Sequence, residues 1–263
     1  MSKSEARSAN LLPAHGLIEC RRCWGSFGTG PEYVSRDSKF KLVNDPAAWG
    51  SREPRALVLG MTKGNTQSNA MSACIGEGDF DKVAYAKFRD RLTAVLQIVG
   101  LAKDANSVDS LIVSKETEFG WGSVIRCSLT GWDAKSNQYS GESGKVLPAF
   151  DHFEMRAVVR NCFSQFLSAL PERTKLVVLL GNSDGYLRKM KRIVGDFYSA
   201  DFCGEPEYEG VSYRAGGKRW VHVAHPSRGN GYFNNFMQDD ERSKQGKKRR
   251  IAQTAVLASL LTL

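Results

Sequence analysis

Three clusters of residues carry types that can do chemistry. In "VHVAHPSRGNGYF" (221–233) a short apolar run delivers His225 onto a Pro226-Ser227 turn. An imidazole there is the side chain best suited to hold or donate a proton near neutral pH. Arg228, Asn230, Tyr232 and Phe233 follow, supplying a cation, an amide and two rings. His222 lies three residues earlier, on the opposite face of the same strand, and is expected to be structural. The second cluster is "GMTKGNTQSNA" (60–70). Its Gly60 and Gly64 let backbone approach a ligand, Lys63 adds charge, and Thr62, Asn65, Gln67 and Asn69 add hydrogen-bonding groups. The third is cysteine: Cys20 and Cys23 form "CRRC", and Cys74, Cys127, Cys162 and Cys203 stand alone. A CxxC serves redox pairs, zinc sites and iron–sulfur sites alike. Cys74 and Cys203 read as small buried apolar residues.

Elements that could position these clusters alternate along the chain. "EPRALVLGM" (53–61), "GWGSVIRCS" (120–128), "TKLVVLLGN" (174–182) and "KRWVHVAH" (218–225) read as buried strands. Helical periodicity occupies 80–101, with Val83, Phe88, Leu92, Val95, Leu96 and Val99 on one face and Gly100 as the stop. Helices are also expected over 150–170, after Asn182, and over 239–261, whereas 131–148 reads as an enlarged polar loop. This order predicts an α/β fold, a three-layer α/β/α sandwich around a central, mainly parallel four-stranded sheet. Folds of that kind bind ligands outside the carboxyl ends of their strands. Gly60, Cys127, Asn182 and His225 all stand there. The expectation is one domain over 1–263, with 1–17 flexible.

Composition narrows the partners. A formal charge of +9 and a pI near 9.3 point to a polyanion, nucleic acid first. "KQGKKRR" (244–250) concentrates Lys244, Lys247, Lys248, Arg249 and Arg250, and Lys189, Lys191 and Arg192 form a second basic patch. A solvated helix face and a phosphate-tracking surface are both open readings of such runs. No stretch approaches the roughly 18 apolar residues of a membrane span, and no secretory signal is visible at the start. The expectation is a cytoplasmic monomer whose cysteines are thiols or metal ligands.

Taken together, "CRRC" (20–23), "GSVIRC" ending at Cys127, "EMRAVVRNC" ending at Cys162, "LVVLLGN" (176–182), "GMTKG" (60–64) and "HPS" (225–227) resemble the uracil-DNA glycosylase superfamily, and within it the iron–sulfur branch. The resemblance covers most of the chain from Cys20 onward. It implies a 4Fe–4S cluster on Cys20, Cys23, Cys127 and Cys162, with zinc as the alternative metal. It also implies that the protein flips a nucleotide out of DNA and hydrolyses its N-glycosidic bond, leaving an abasic site for base excision. His225 would donate to the base oxygen as negative charge develops. Thr62 or Asn65 would position the water, and Gly60, Met61, Lys63, Gly64 and Asn182 would line the pocket. Phe80 would stack on the base, with Tyr85 in reserve. Ser227, Arg228 and Asn230, with Tyr232 or Phe233 as a wedge, would contact DNA, joined by Lys247, Lys248, Arg249 and Arg250.

Two departures bear on the substrate. Family members carry an acidic or amide group where Met61 and Thr62 stand, and Ser123 occupies the position of the base-reading asparagine. A smaller residue beside an enlarged 131–148 loop makes room for a bulkier base. The resulting expectation is a damaged or modified pyrimidine, such as a modified cytosine of phage DNA in antiviral defence. Uracil repair is the alternative, and a non-catalytic DNA sensor or a zinc-stabilised hydrolase on a similar sandwich are the others.

Overall fold

The computed structural model describes residues 10–74, 79–103 and 107–261. In chain order it runs β1 (Gly16–Leu17), α1 (Trp24–Phe27), β2 (Glu32–Val34), β3 (Phe40–Val43), β4 (Ala47–Gly50), β5 (Ala56–Thr62) and α2 (Asn65–Ala73). Then come α3 (Arg89–Ile98), β6 (Phe119–Ile125), β7 (Ser128–Asp133), β8 (Gln138–Ser140), α4 (Ser143–Val146) and α5 (Met155–Phe166). The chain ends with β9 (Leu176–Leu180), α6 (Asp184–Phe197), β10 (Ser212–Ala215), β11 (Lys218–Val223), α7 (Phe233–Met237) and α8 (Lys244–Leu261).

The four runs that read as strands are β5, β6, β9 and β11. They lie side by side in the order β6-β5-β9-β11, each pair parallel. Among the described residues, however, the sheet holding them has seven strands and mixed direction: β1 and β4 extend one side and β10 the other, all antiparallel. The addition of β10 follows from Gly216-Gly217. Both take left-handed backbone, φ +59° and +69°, as a two-residue hairpin turn requires. A second sheet, β2-β3-β7-β8, has no counterpart in the sequence reading. The structure is thus a mixed α/β fold with two sheets.

Side-chain alternation in the parallel strands feeds two apolar cores. Leu57 and Leu59, Val124, Val177 and Leu179, and Trp220 face one core with Val158, Val159 and Phe163 of α5 and Met190 and Val194 of α6. Val58, Trp121, Val178, Val221 and Val223 face the other with Leu92 and Val95 of α3 and Ala252, Ala255 and Val256 of α8. Burial on both faces is why these strands read as unbroken apolar runs.

Three expectations need correction. The polar stretch 131–148 contains the end of β7, all of β8, and α4. The periodic stretch 80–101 is helical only from Arg89. Before it, Tyr85 takes φ +57° and turns its buried ring so that its hydroxyl donates to the Gly122 carbonyl at 3.0 Å. Of the expected flexible start, 1–9 lies outside the described residues. Beyond it Leu12 is buried and its N–H reaches the Arg52 carbonyl, while β1 pairs with β4.

Candidate active site

Register places the strand ends at one edge. Gly60 pairs with Ser123, Leu59 with Leu179, and Leu179 with His222. His225 therefore emerges just beyond the same edge as "GMTKG". A chain of rings connects the two: Tyr85 meets Phe88 at 5.9 Å between centroids, and Phe88 meets His225 at 5.7 Å. At its far end the Tyr85 hydroxyl lies beside Gly60.

His225 is set up as a donor. The Ser227 backbone N–H donates to its Nδ1 at 3.1 Å, so Nδ1 carries the lone pair and the neutral ring keeps its proton on Nε2. Among the described residues Nε2 has no partner. Burial, reinforced by the charge of Arg91, pushes the imidazole down to about 4 from 6.5, so it is neutral at pH 7. The Asn230 amide fixes the turn by donating to the His225 carbonyl at 2.8 Å, and its Oδ1 accepts from Tyr232 N–H. His222 holds the opposite tautomer. Its Nδ1 donates to the Gly181 carbonyl at 2.9 Å, and its Nε2 faces the Tyr213 hydroxyl at 3.4 Å.

The "GMTKG" end is closed over its own polar groups. The Thr62 hydroxyl donates to the Cys127 carbonyl and accepts from Leu129 N–H, both at 2.9 Å, so its proton is committed to the protein. Lys63 is 2% exposed, donates to the Arg126 carbonyl and pairs with Asp45 at 3.5 Å. Asp45 also accepts from Ser68 Oγ, Ser128 Oγ and Ser128 N–H, at 2.6 to 2.7 Å. Burial lowers the Lys63 pKa, but the amine has no path to a substrate. Met61 is buried in the core. Asn65 is the exception. It is exposed, its amide donates to the Tyr139 carbonyl at 2.8 Å, and its Oδ1 has no partner among the described residues. Gly64 is in close contact with Gly141, so the segment after β8 walls this turn.

Other expected roles change. Phe80 stacks on Trp49 at 5.0 Å and is not free for a base. Ser123 is 3% exposed and its hydroxyl donates to the Ile125 carbonyl at 2.7 Å. Asn182 is buried, its amide donating to Gln245 and its carbonyl accepting from Lys248. Phe233 is buried beneath the Arg91 guanidinium, whereas Tyr232 is 49% exposed and Arg228 is exposed. In the basic run, Lys248 and Arg249 are buried and ion-paired with Asp184 and Asp239, and Lys244 and Arg250 are paired at the surface. Lys189 and Arg192 share Asp151. Lys247 is left exposed.

The four-cysteine metal site is overturned. Among the described residues no group of three or more His, Cys, Asp or Glu side chains is placed to hold a metal ion, iron–sulfur or zinc. Cys127 and Cys162 belong to an apolar core, with Cys20 and Cys23 packed against it. Burial raises the thiols of Cys23, Cys127 and Cys162, that of Cys162 to about 12, so they stay protonated at neutral pH. They act as small apolar residues.

Sequence reasoning placed Phe88 on an apolar helix face and gave Arg91 and Asp45 no place at the site. Phe88, the N-cap of α3, and Arg91 in its first turn sit three apart, a spacing visible in the sequence, but nothing local ties them to His225.

No protein-family model matches the chain, and no curated protein matches it. Among solved structures, it is similar to the crystal structure of wild-type SMUG2 from Pedobacter heparinus. That similarity spans 81% of this chain and 77% of that one, at 14% identity and a TM-score of 0.36. It is a weak structural likeness. It fixes neither topology nor activity here.

Proposed function

We propose that this chain is a monofunctional DNA glycosylase acting on an extruded pyrimidine, with uracil the first substrate to test. One observation carries the reading: a neutral, partly buried His225 whose tautomer is set by Ser227 N–H, leaving Nε2–H free at the strand edge. As the N-glycosidic bond breaks, the sugar becomes cationic and the base oxygens gain negative charge. A fixed donor at such an oxygen stabilises that charge without first reorganising. Asn65 Oδ1 suits the attacking water, as an acceptor that orients rather than a base. The sugar cation is electrophilic enough to need no strong base. Lys63 is sealed against Asp45, which argues against an amine nucleophile and a lyase step.

The case for a bulkier modified base weakens. Ser123 spends its hydroxyl on Ile125, and 131–148 folds as strand and helix with Gly141 against Gly64. Neither provides the open space that reading needs, and the uracil alternative is the better supported. One observation favours a non-catalytic DNA-binding protein as the second reading: of Thr62, Lys63 and Asn65, only Asn65 keeps a polar atom unengaged. Alkali cleavage after incubation separates the readings, using oligonucleotides with uracil, mismatches, or modified cytosines from phage DNA. Cutting at uracil is expected. Cutting only at modified cytosine restores the larger pocket, and bound but uncut DNA throughout favours the second reading.

A further inference from the structure

We infer that Arg91 holds a phosphate of the extruded nucleotide, forming an anion subsite beside His225. The inference rests on the glycosylase reading of that histidine.

Arg91 lies in the first turn of α3, one helical turn beyond Phe88, whose ring meets His225. Its guanidinium sits 3.6 Å from the centre of the Phe233 ring, on the segment that follows the His225 turn. It thus bridges the two elements that frame the imidazole. Stacking on Phe233 fixes the plane of the fork. Its Nε is out of reach of solvent and bonded to nothing, and among the described residues no carboxylate or carbonyl accepts from this side chain. Burying an unmatched donor opposes folding. A cation in the first turn also sits at the helix end whose dipole disfavours it, and the Phe88 cap provides no side-chain acceptor there.

Other arginines are used otherwise. Arg89 is bonded to Asp109 and to two carbonyls, and Arg219 and Arg249, whose Nε atoms are likewise unbonded, pair with Glu205 and Asp239 through their other nitrogens. Arg126 also has unmatched nitrogens, but at 1% exposure it meets no ligand from solution. Arg91 combines an unmatched guanidinium with partial exposure, a seat on Phe233 just beyond the His225 turn, and a charge felt at His225. With DNA as the substrate, the anion at hand is the phosphodiester, and a planar guanidinium fork matches two of its oxygens.

The test measures DNA binding by full-length protein across a salt series, for wild type, Arg91→Gln and Arg91→Lys. It is repeated with a neutral methylphosphonate walked one linkage at a time past the target nucleotide. Arg91→Gln is expected to flatten the log–log salt slope by about 0.7–0.9, as one lost phosphate contact should. Arg91→Lys should keep most of the slope. At one linkage the methylphosphonate should reproduce the loss in wild type and add nothing in Arg91→Gln. An unchanged slope, full additivity at every linkage, or no measurable DNA binding by wild type would overturn the subsite. A thermal melt of Arg91→Gln matching wild type shows that the loss is not unfolding. Base release, scored in parallel, is a separate arm. Uracil cutting with full additivity sinks the subsite and leaves the glycosylase reading. Non-additivity without cutting of any substrate does the reverse.

Discussion

Two turns leave the same edge of the sheet and treat their polar groups in opposite ways. After β5, Thr62 and Lys63 fold inward onto Cys127, Leu129, Arg126 and Asp45, while Asn65 faces out with an acceptor unspent. After β11, the backbone does the holding. Ser227 N–H and the Asn230 amide fix His225, and Nε2 and the side chains of Arg228 and Tyr232 remain outside the turn's own bonding. One turn spends side chains to make a rigid wall. The other spends amides and one side chain to present a ring. Side-chain substitutions should therefore cost stability in the first and activity in the second.

The largest effect is expected at the wall. Asp45 is the common acceptor for Lys63, Ser68 and Ser128. Asp45→Ala strands a buried ammonium and should destabilise by about 3–5 kcal/mol, seen as a lower urea midpoint. Asp45→Leu combined with Lys63→Met should recover much of that. If Asp45→Ala unfolds at the wild-type midpoint, the rigid-wall account fails.

Next comes the presented ring. His225→Ala should slow single-turnover base release by about 100–1,000-fold, the scale of one lost donor in an oxyanion site. DNA affinity should hold. The pH profile sharpens the point. Protonation removes the lone pair that accepts Ser227 N–H, and the folded pKa is about 4 against an ordinary 6.5. Base release should stay level on acidification through about pH 5.5 and fall only as pH nears about 4. Stability follows the same sign. The unfolded chain binds this proton more tightly, so the contribution is full above about 6.5 and lost as pH falls towards about 4. Buried His222, also pushed to about 4, adds to that loss. An acid limb near 6.5 in the rate would mean that His225 is solvated and the turn is not a fixed donor.

A smaller effect tests the exception in the wall. Asn65→Ala should reduce base release by about tenfold, the worth of one hydrogen bond of about 1.4 kcal/mol, with little change in melting. Thr62→Val should do the converse, lowering the urea midpoint while the rate per folded molecule holds. Equal losses of rate in both would return the water to Thr62.

How much of this was legible follows from range. The parallel strands, and His225 at the end of the last of them, are written in contiguous residues, so periodicity and the HPS turn reveal them. The second sheet is not. Its strands are short and come from 32–43 and 128–140, so only long-range pairing such as Leu42 with Leu129 creates it. Thr62, Ser123 and Asn182 read as free site residues because a sequence shows a polar side chain without its acceptor. The cysteine pattern misled for a related reason: it gathers the four thiols at one core, but order along the chain does not set the geometry a metal ion needs. Arg91 was invisible because its meaning depends on Phe233, which lies far along the chain.

The smallest effect separates two adjacent lysines of α8 that look equivalent in "KQGKKRR". Lys248 is buried, and its amine reaches the Asn182 carbonyl at 2.6 Å and Asp184 at 2.7 Å, fastening α8 to the end of β9 and the start of α6. Lys247 points to solvent and has no ion pair among the described residues. Lys248→Met should lower the melting temperature by a few degrees, at about 2–4 °C per kcal/mol for a chain of this size, and leave the salt dependence of DNA binding alone. Lys247→Gln should leave melting alone and flatten the salt slope by at most about 0.9. The two lysines differ by one residue and by about 100° around the helix axis, so a general loss of charge affects both alike and burial affects only one. Equal changes in slope would put the whole basic face on DNA. A change confined to Lys247 would make the buried half of the run a clasp, the same division of labour seen at the two turns.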